Sequence, residues 1–126
     1  MKRSVVNEIL AESDAFIRSF GYVMPPFAYH SPEALKAAVE SDSPSILANR
    51  LGWDITDYGQ GKFEELGLFL FTVRNGSADD LSKGKGMLYA EKIMISRQDQ
   101  LSPMHTHVIK AEDIINRGGA TLVIEL

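Results

Sequence analysis

The sequence of 126 residues contains no cysteine. Disulfide bonds, thiolate metal ligands and a cysteine nucleophile are therefore excluded, and the absence fits a reducing compartment. Basic residues are few and dispersed, because 13 Lys and Arg stand against 17 Asp and Glu and the net charge is -4. A nucleic-acid-binding surface needs a stripe of positive charge along the phosphate backbone, so nucleic acid is not an expected partner.

Long apolar segments are also missing. No apolar run is long enough to cross a bilayer, and the basic start Met1-Lys2-Arg3 leads into polar and acidic residues rather than the apolar core of a signal peptide. We therefore expect a cytoplasmic protein with no membrane partner. What the sequence does contain is 44% hydrophobic and 24% charged residues, the balance of a folded chain that is long enough for one core.

Residues 1–60 are predicted to form an N-terminal helical arm. Apolar side chains recur at three- and four-residue spacing over residues 5–20, with Ser4 as the predicted N-cap and Gly21 as the end of the helix. A second helix is predicted to follow its cap Ser31, and a shorter helical piece comes after it.

Residues 61–126 are predicted to consist of strands. Runs rich in β-branched and aromatic residues, separated by turn-forming glycine and asparagine, place these strands at 65–75, 87–97, 103–109 and 120–126. Among their side chains, Met94 and Met104 are expected to fill the core rather than to bind a metal.

Two of the three histidines, His105 and His107, are separated by one residue, and Glu112 follows five positions later. On an extended segment, residues i and i+2 lie on the same face, so the two imidazoles can converge on one cation and the glutamate can fold back toward it. Two nitrogens and one oxygen suit Mn²⁺, Fe²⁺, Co²⁺, Ni²⁺ or Zn²⁺ and leave positions open for water or substrate. The spacing alone leaves open the alternative that these are surface side chains that bind no metal.

The pattern of H-x-H, four residues, glutamate and a following glycine pair resembles the first metal motif of the cupin superfamily, although Asp99 stands where that motif usually has glycine. The sequence resembles the D-lyxose isomerases, which are cupin-type sugar ketol-isomerases, more closely. The resemblance covers nearly the whole chain, through KRSVVNEILAESDAFIRSFGYVMPPFAY, LGWDITDYG, LFLFTVRNGS, YAEKIMI, MHTH, K-EDIINRGG and LVIEL.

This resemblance implies a mainly β fold of the cupin (jelly-roll) barrel type with N-terminal helices, of which residues 61–126 form the first part. It implies a metal-dependent aldose–ketose isomerase that acts on free sugars, such as D-lyxose with D-xylulose and D-mannose with D-fructose, through a metal-stabilised enediol. It also implies a divalent metal cofactor, most commonly Mn²⁺, with His105, His107 and Glu112 as three of its ligands.

Lys110 and Lys92 are the candidate catalytic residues. A lysine beside a sugar hydroxyl can donate a hydrogen bond or assist proton transfer when it is partly desolvated; the alternative is that both lysines are solvated surface cations. Tyr29, His30 and Trp53 are aromatic side chains that can stack on a sugar ring, but ordinary packing also explains them.

The chain departs from the family in one respect, because a jelly roll needs about eight strands and only four are predicted here. The family's second metal motif, with a fourth ligand histidine, is expected beyond Leu126. Either the chain is the N-terminal part of a longer enzyme, or two copies pair as a homodimer and complete each other's barrels. Two other functions remain open: a non-catalytic cupin-like module that binds a sugar or a metal, and an Fe²⁺ oxygenase.

Overall fold

The structure is a computed structural model that describes residues 1–108 and 111–125. Four α-helices, one 3₁₀ helix and three strands are found among these residues. In chain order they are α1 (Arg3–Ser19), the 3₁₀ helix (Pro26–Tyr29), α2 (Pro32–Ser41), α3 (Ser45–Ala48), β1 (Gly52–Thr56), β2 (Leu68–Arg74), α4 (Ala78–Ser82) and β3 (Glu91–Ile95).

Helix α1 carries one buried stripe that includes Ile9 and Ile17, which confirms the helix predicted from the apolar spacing. The predicted cap is wrong, since the helix begins at Arg3 with Lys2 as its N-cap residue and Ser4 lies within its first turn. The end is confirmed: Gly21 follows the helix with a φ of +75°, a left-handed conformation that glycine adopts without strain.

Helix α2 begins as its sequence predicts. The Ser31 hydroxyl oxygen accepts a hydrogen bond from the backbone N–H of Ala34 at 3.2 Å, and Pro32 occupies the first turn, where its missing N–H costs nothing. The pKa of Glu33 is lowered below its ordinary value, mainly by a hydrogen bond from the backbone N–H of Glu33 itself and to a lesser extent by one from the Ser31 side chain. The carboxylate therefore stays charged at the positive end of the helix dipole.

The three strands form one antiparallel sheet in the order β1-β2-β3, so β2 is central. Phe71 of β2 pairs with Trp53 on one side and with Ile93 on the other, and Phe69 pairs with Ile55 and Ile95. Because paired residues of an antiparallel sheet share a face, all these apolar side chains lie on the same side of the sheet.

This apolar face packs against α1 and forms the core. Phe69 and Phe71 are the largest fully buried side chains among the described residues. Trp53 packs edge-on against Phe71 with ring centroids 4.6 Å apart, and its indole N–H donates to the carbonyl of Ala28 at 2.8 Å. The buried cluster consists of Ile9, Ile17, Met24, Phe63, Phe69 and Phe71.

Two of the four predicted strands are confirmed, namely β2 within 65–75 and β3 within 87–97. The strands predicted at 103–109 and 120–126 are wrong over residues 103–108 and 120–125, which have no strand in the structure; Ile109 and Leu126 lie outside the described residues. A strand needs a neighbouring strand for its N–H and C=O groups, and the described part of the chain offers these two segments none.

Two elements were not predicted. Strand β1 lies inside the predicted helical arm and pairs with β2, so that residues 1–60 and 61–126 contribute to one sheet. Helix α4 lies between the strands predicted at 65–75 and 87–97, where no helix was predicted. The expectation that Met94 and Met104 fill the core is wrong, since they are 56% and 75% exposed.

The observed architecture is thus a small antiparallel sheet with several helices, which is compatible with part of a mainly β fold. Within the described ranges, no helix combines the length and the apolar character that crossing a membrane requires.

We predict that Phe71→Ala lowers the free energy of unfolding by about 3–5 kcal/mol, because it removes a fully buried ring from the centre of the sheet and leaves a cavity. Urea unfolding followed by circular dichroism measures the loss. The control is Val23→Ala, at a side chain that is 88% exposed, for which we expect a change within about 0.5 kcal/mol. Equal effects of the two substitutions would contradict the proposed core.

Candidate metal centre

The segment that carries the candidate ligands begins at a turn that is tied to the sheet and to α1. Arg97 forms ion pairs with Glu12 of α1 at 2.6 Å and with Glu64 at 2.7 Å. Its backbone N–H donates to the side-chain oxygen of Gln100, and the Gln100 side-chain amide donates to the carbonyl of Phe63. The buried Gln100 side chain therefore locks this turn onto the loop before β2.

Asp99, just before the ligand segment, has a left-handed backbone conformation. Its φ is +58°, which lies in the left-handed region that glycine adopts most readily. Aspartate is one of the few other residues found in this conformation. The backbone at position 99 therefore has a conformation that suits glycine, although the residue is aspartate.

Leu101 fixes the start of the ligand segment. It forms an isolated parallel bridge with Leu66, and its backbone exchanges hydrogen bonds with Glu65 at 2.9 Å and Gly67 at 3.1 Å. Beyond it, residues 102–108 and 111–125 contain no helix or strand. The candidate ligands thus lie on irregular backbone rather than on the predicted strand.

The structure nevertheless brings the three candidate ligands together. The rings of His105 and His107 meet edge to face, with centroids 4.7 Å apart. The Nε2 of His107 lies 3.2 Å from a carboxylate oxygen of Glu112, and the two side chains are 28% and 45% exposed. His107 therefore contacts both the imidazole of His105 and the carboxylate of Glu112.

A backbone carbonyl orients His105. Its Nδ1 lies 2.9 Å from the carbonyl oxygen of Pro103. A carbonyl can only accept, so the ring nitrogen must donate, and this leaves Nε2 with a free lone pair when the ring is neutral. The same arrangement orients histidine ligands in metal sites. Sequence reasoning missed Pro103, because a backbone acceptor has no side-chain signature.

These donors fit a divalent ion by chemistry, since two imidazoles and a carboxylate are the ligands that such ions take. Their arrangement differs from a metal cage: across residues 1–108 and 111–125, no group of three or more His, Cys, Asp or Glu side chains is positioned to hold an ion. A carboxylate oxygen of Glu112 already contacts Nε2 of His107. Metal binding by these residues therefore requires the side chains to turn.

Of the two candidate lysines, Lys92 lies within the described residues and Lys110 does not. Lys92 lies on β3, paired with Thr72 of β2, and it points away from the core face, because its neighbour Ile93 packs against the core. Its side chain is exposed and has no hydrogen bond or ion pair with any other described residue. Lys110 lies outside the described residues.

Of the three candidate aromatic residues, Trp53 packs in the core as described above. The Tyr29 hydroxyl donates to a carboxylate oxygen of Asp14 at 2.7 Å, and this hydrogen bond raises the pKa of Tyr29. His30 is exposed at the end of the 3₁₀ helix. Packing or local hydrogen bonds therefore explain Tyr29 and Trp53 without a sugar.

Comparison with known proteins gives a consistent result over the full length of the chain. The family model for D-lyxose isomerase matches residues 1–126. The D-lyxose/D-mannose isomerase of Serratia proteamaculans is 45% identical over all 126 residues, and the protein of the same name from Escherichia coli O157:H7 is 44% identical.

The chain spans only about half the length of these relatives, since the matches cover 54% and 55% of the two proteins. The family match nevertheless covers residues 1–126. The chain therefore belongs to the D-lyxose isomerase family.

Proposed function

We propose that the protein is a metal-dependent aldose–ketose isomerase, or a large part of one, that acts on free sugars such as D-lyxose/D-xylulose and D-mannose/D-fructose. The observation that carries the proposal is the coincidence of a whole-chain family match with the clustering of His105, His107 and Glu112. A cytoplasmic location belongs to the proposal, which the absence of cysteine supports.

The proposed ligands are His105, His107 and Glu112, and the proposed cofactor is Mn²⁺. A bound divalent ion supplies positive charge that stabilises the sugar oxygens of an enediol while a proton moves between C1 and C2. His105 is already oriented by Pro103 to present Nε2. Glu112 must give up its present contact with His107 Nε2, so that both groups can face the ion.

Lys92 and Lys110 are proposed to bind the sugar. Lys92 lies on the face of the sheet opposite the core, where it pairs with the buried Thr72. Its lack of a partner among the described residues leaves its three N–H groups available to sugar oxygens. A lysine held there can donate to the oxygen on which charge develops or assist the proton transfer.

The proposed fold is a cupin barrel of which this chain supplies part. The outer face of the sheet carries Leu68, Leu70 and Met94, and Met94 is 56% exposed. The irregular C-terminal segment also exposes large apolar side chains. These are Leu101, Met104, Val108, Ile114, Ile115, Leu122, Val123 and Ile124.

So much exposed apolar surface is typical of an interface rather than of a free monomer. We therefore include a homodimer in the proposal, in which a second copy covers these residues. A non-catalytic cupin-like module that binds a sugar or a metal is the competing function.

We predict that the purified chain binds Mn²⁺ and that His107→Ala weakens this binding by more than about 100-fold. The loss of a residue that only orients a ligand lowers metal affinity by about 10–100-fold, and the loss of a ligand should cost more. Isothermal titration calorimetry measures both affinities. The control is His30→Ala, which removes the one histidine outside the motif and should leave the affinity unchanged. Equal Mn²⁺ binding by His107→Ala and the unaltered chain would refute the ligand set.

We predict isomerase activity when the chain is fused to the part of the Serratia relative that lies outside the match. Ketose formation from D-lyxose and D-mannose should require Mn²⁺ and stop when EDTA removes it, because the enediol then loses its stabilising charge. The same assay is run on the chain alone. Tight sugar binding without turnover in both proteins would favour the non-catalytic module.

In this fusion, Lys92→Met should lower kcat by about 100-fold, which is the lower end of the effect of removing a general acid or base. Lys36→Met is the matched control, because Lys36 lies on α2, where its ion pair with Glu40 is exposed, and its loss should leave kcat unchanged. Unchanged kcat in Lys92→Met would remove this lysine from the mechanism.

We predict that the chain forms a dimer at micromolar concentration, because association covers the exposed apolar side chains of the sheet and the C-terminal segment. Size-exclusion chromatography with light scattering gives the mass directly. A single compact monomer would overturn this part of the proposal.

A further inference from the structure

The turn from Asn116 to Ala120 is closed by one side chain. The Asn116 side-chain oxygen accepts from the N–H of Gly118 at 3.0 Å, and its amide nitrogen donates to the carbonyl of Ala120 at 2.9 Å. A single asparagine thus satisfies the backbone on both arms of the turn. The turn has a defined shape although it belongs to no helix or strand.

The two glycines of this turn lie against an aromatic pair at the end of α1. A β-carbon built on Gly118 would lie 2.6 Å from Cε1 of Phe20, and one built on Gly119 would lie 3.2 Å from Cζ of Phe16. At the first distance a β-carbon fits only if the phenyl ring of Phe20 shifts, because the ring occupies the space that a larger residue would need. The φ angles of +141° and +97° also favour glycine.

The turn packs against the rings of Phe16 and Phe20. Their rings meet edge to face at 5.0 Å, and both are about half exposed. The buried Ile17 between them fixes this end of α1 in the core. Burial raises the pKa of the nearby Tyr22 phenol, and the charge of Arg117 opposes that shift, which agrees with a turn held close to the helix end.

The candidate ligands lie between two points of attachment. At one end Leu101 bridges to Leu66, and at the other the Asn116–Ala120 turn rests on α1. Glu112 precedes Asn116 by four residues, a reach of at most about 14 Å. Because the backbone between the two points has no helix or strand in its described part, these attachments restrict the freedom of the ligands.

We propose that Phe20, together with Phe16 and the glycine pair, is a positioning residue that holds the ligand segment in place for metal binding. This inference rests on the proposed function. The Phe20 ring contacts Phe16 and lies against Gly118, so it acts on the ligand segment through the turn, by lowering the entropy that the segment loses when its three ligands converge.

The test is Phe20→Ala in the full chain, with Mn²⁺ as the probe. We expect Mn²⁺ affinity to fall about 10-fold, the lower end of the effect of losing an outer support of a metal site. Electron paramagnetic resonance of free Mn²⁺ measures the affinity. Without metal, hydrogen exchange of the backbone amides in residues 116–120 should become faster. Phe20→Tyr keeps the ring edge and should restore both readouts.

Val5→Ala is the control on the same helix, about 22 Å from Phe20 along its axis, and it should change neither readout. Gly118→Ala should reproduce the loss, whereas Gly59→Ala should not, because Gly59 has a positive φ but open space where its β-carbon would lie.

The outcomes separate the two proposals. If the unaltered chain binds no Mn²⁺, the metal centre is refuted and the positioning role with it. If the unaltered chain binds Mn²⁺ and Phe20→Ala binds it equally well, the positioning role alone is refuted. Weaker binding in Phe20→Ala with recovery in Phe20→Tyr supports it.

Discussion

The burial of Phe69 and Phe71 between the sheet and α1 is the constraint on which the rest of the structure depends. These two rings are the largest fully buried side chains of the described residues, and they lie on the central strand. The same packing fixes β3, which leads into the turn at Arg97, and it fixes α1, which carries Phe16 in its last turn and is followed by Phe20. Both attachments of the ligand segment are therefore anchored to one core.

The sequence predicted the parts that depend on local periodicity and local chemistry. Helix α1 follows from its apolar spacing, and α2 follows from the cap at Ser31, because the donors and acceptors involved are close in sequence. Strand β2 was also predictable from its dense apolar run. Strand β1 was missed because five residues that begin with glycine and contain Asp54 give almost no alternating signal.

The failed strands at 103–108 and 120–125 have a different cause. Their side chains have strand character, but a strand is stable only when neighbouring strands satisfy its backbone. No pattern within the segment reveals whether that neighbour is present. The apolar residues predicted to lie in these strands, such as Met104, Val108 and Val123, are therefore exposed in this chain.

For the candidate site, the H-x-H pair and the following glutamate predicted three ligands of one metal ion, and the structure shows His107 in contact with His105 and with Glu112. The sequence could not reveal that Glu112 contacts His107 directly, that Pro103 orients His105, or that Gly118 rests on Phe20 from almost the other end of the chain. The first two depend on irregular backbone, and the last depends on the tertiary packing of α1.

The central claim is that two imidazoles and one carboxylate on this segment bind a single divalent ion. Nuclear magnetic resonance of the chain during addition of small amounts of Mn²⁺ tests it most directly, because the paramagnetic ion broadens the signals nearest to it. The account predicts that the signals of His105, His107 and Glu112 broaden first and together. Early broadening centred on other acidic residues, with these three signals still sharp, would contradict it.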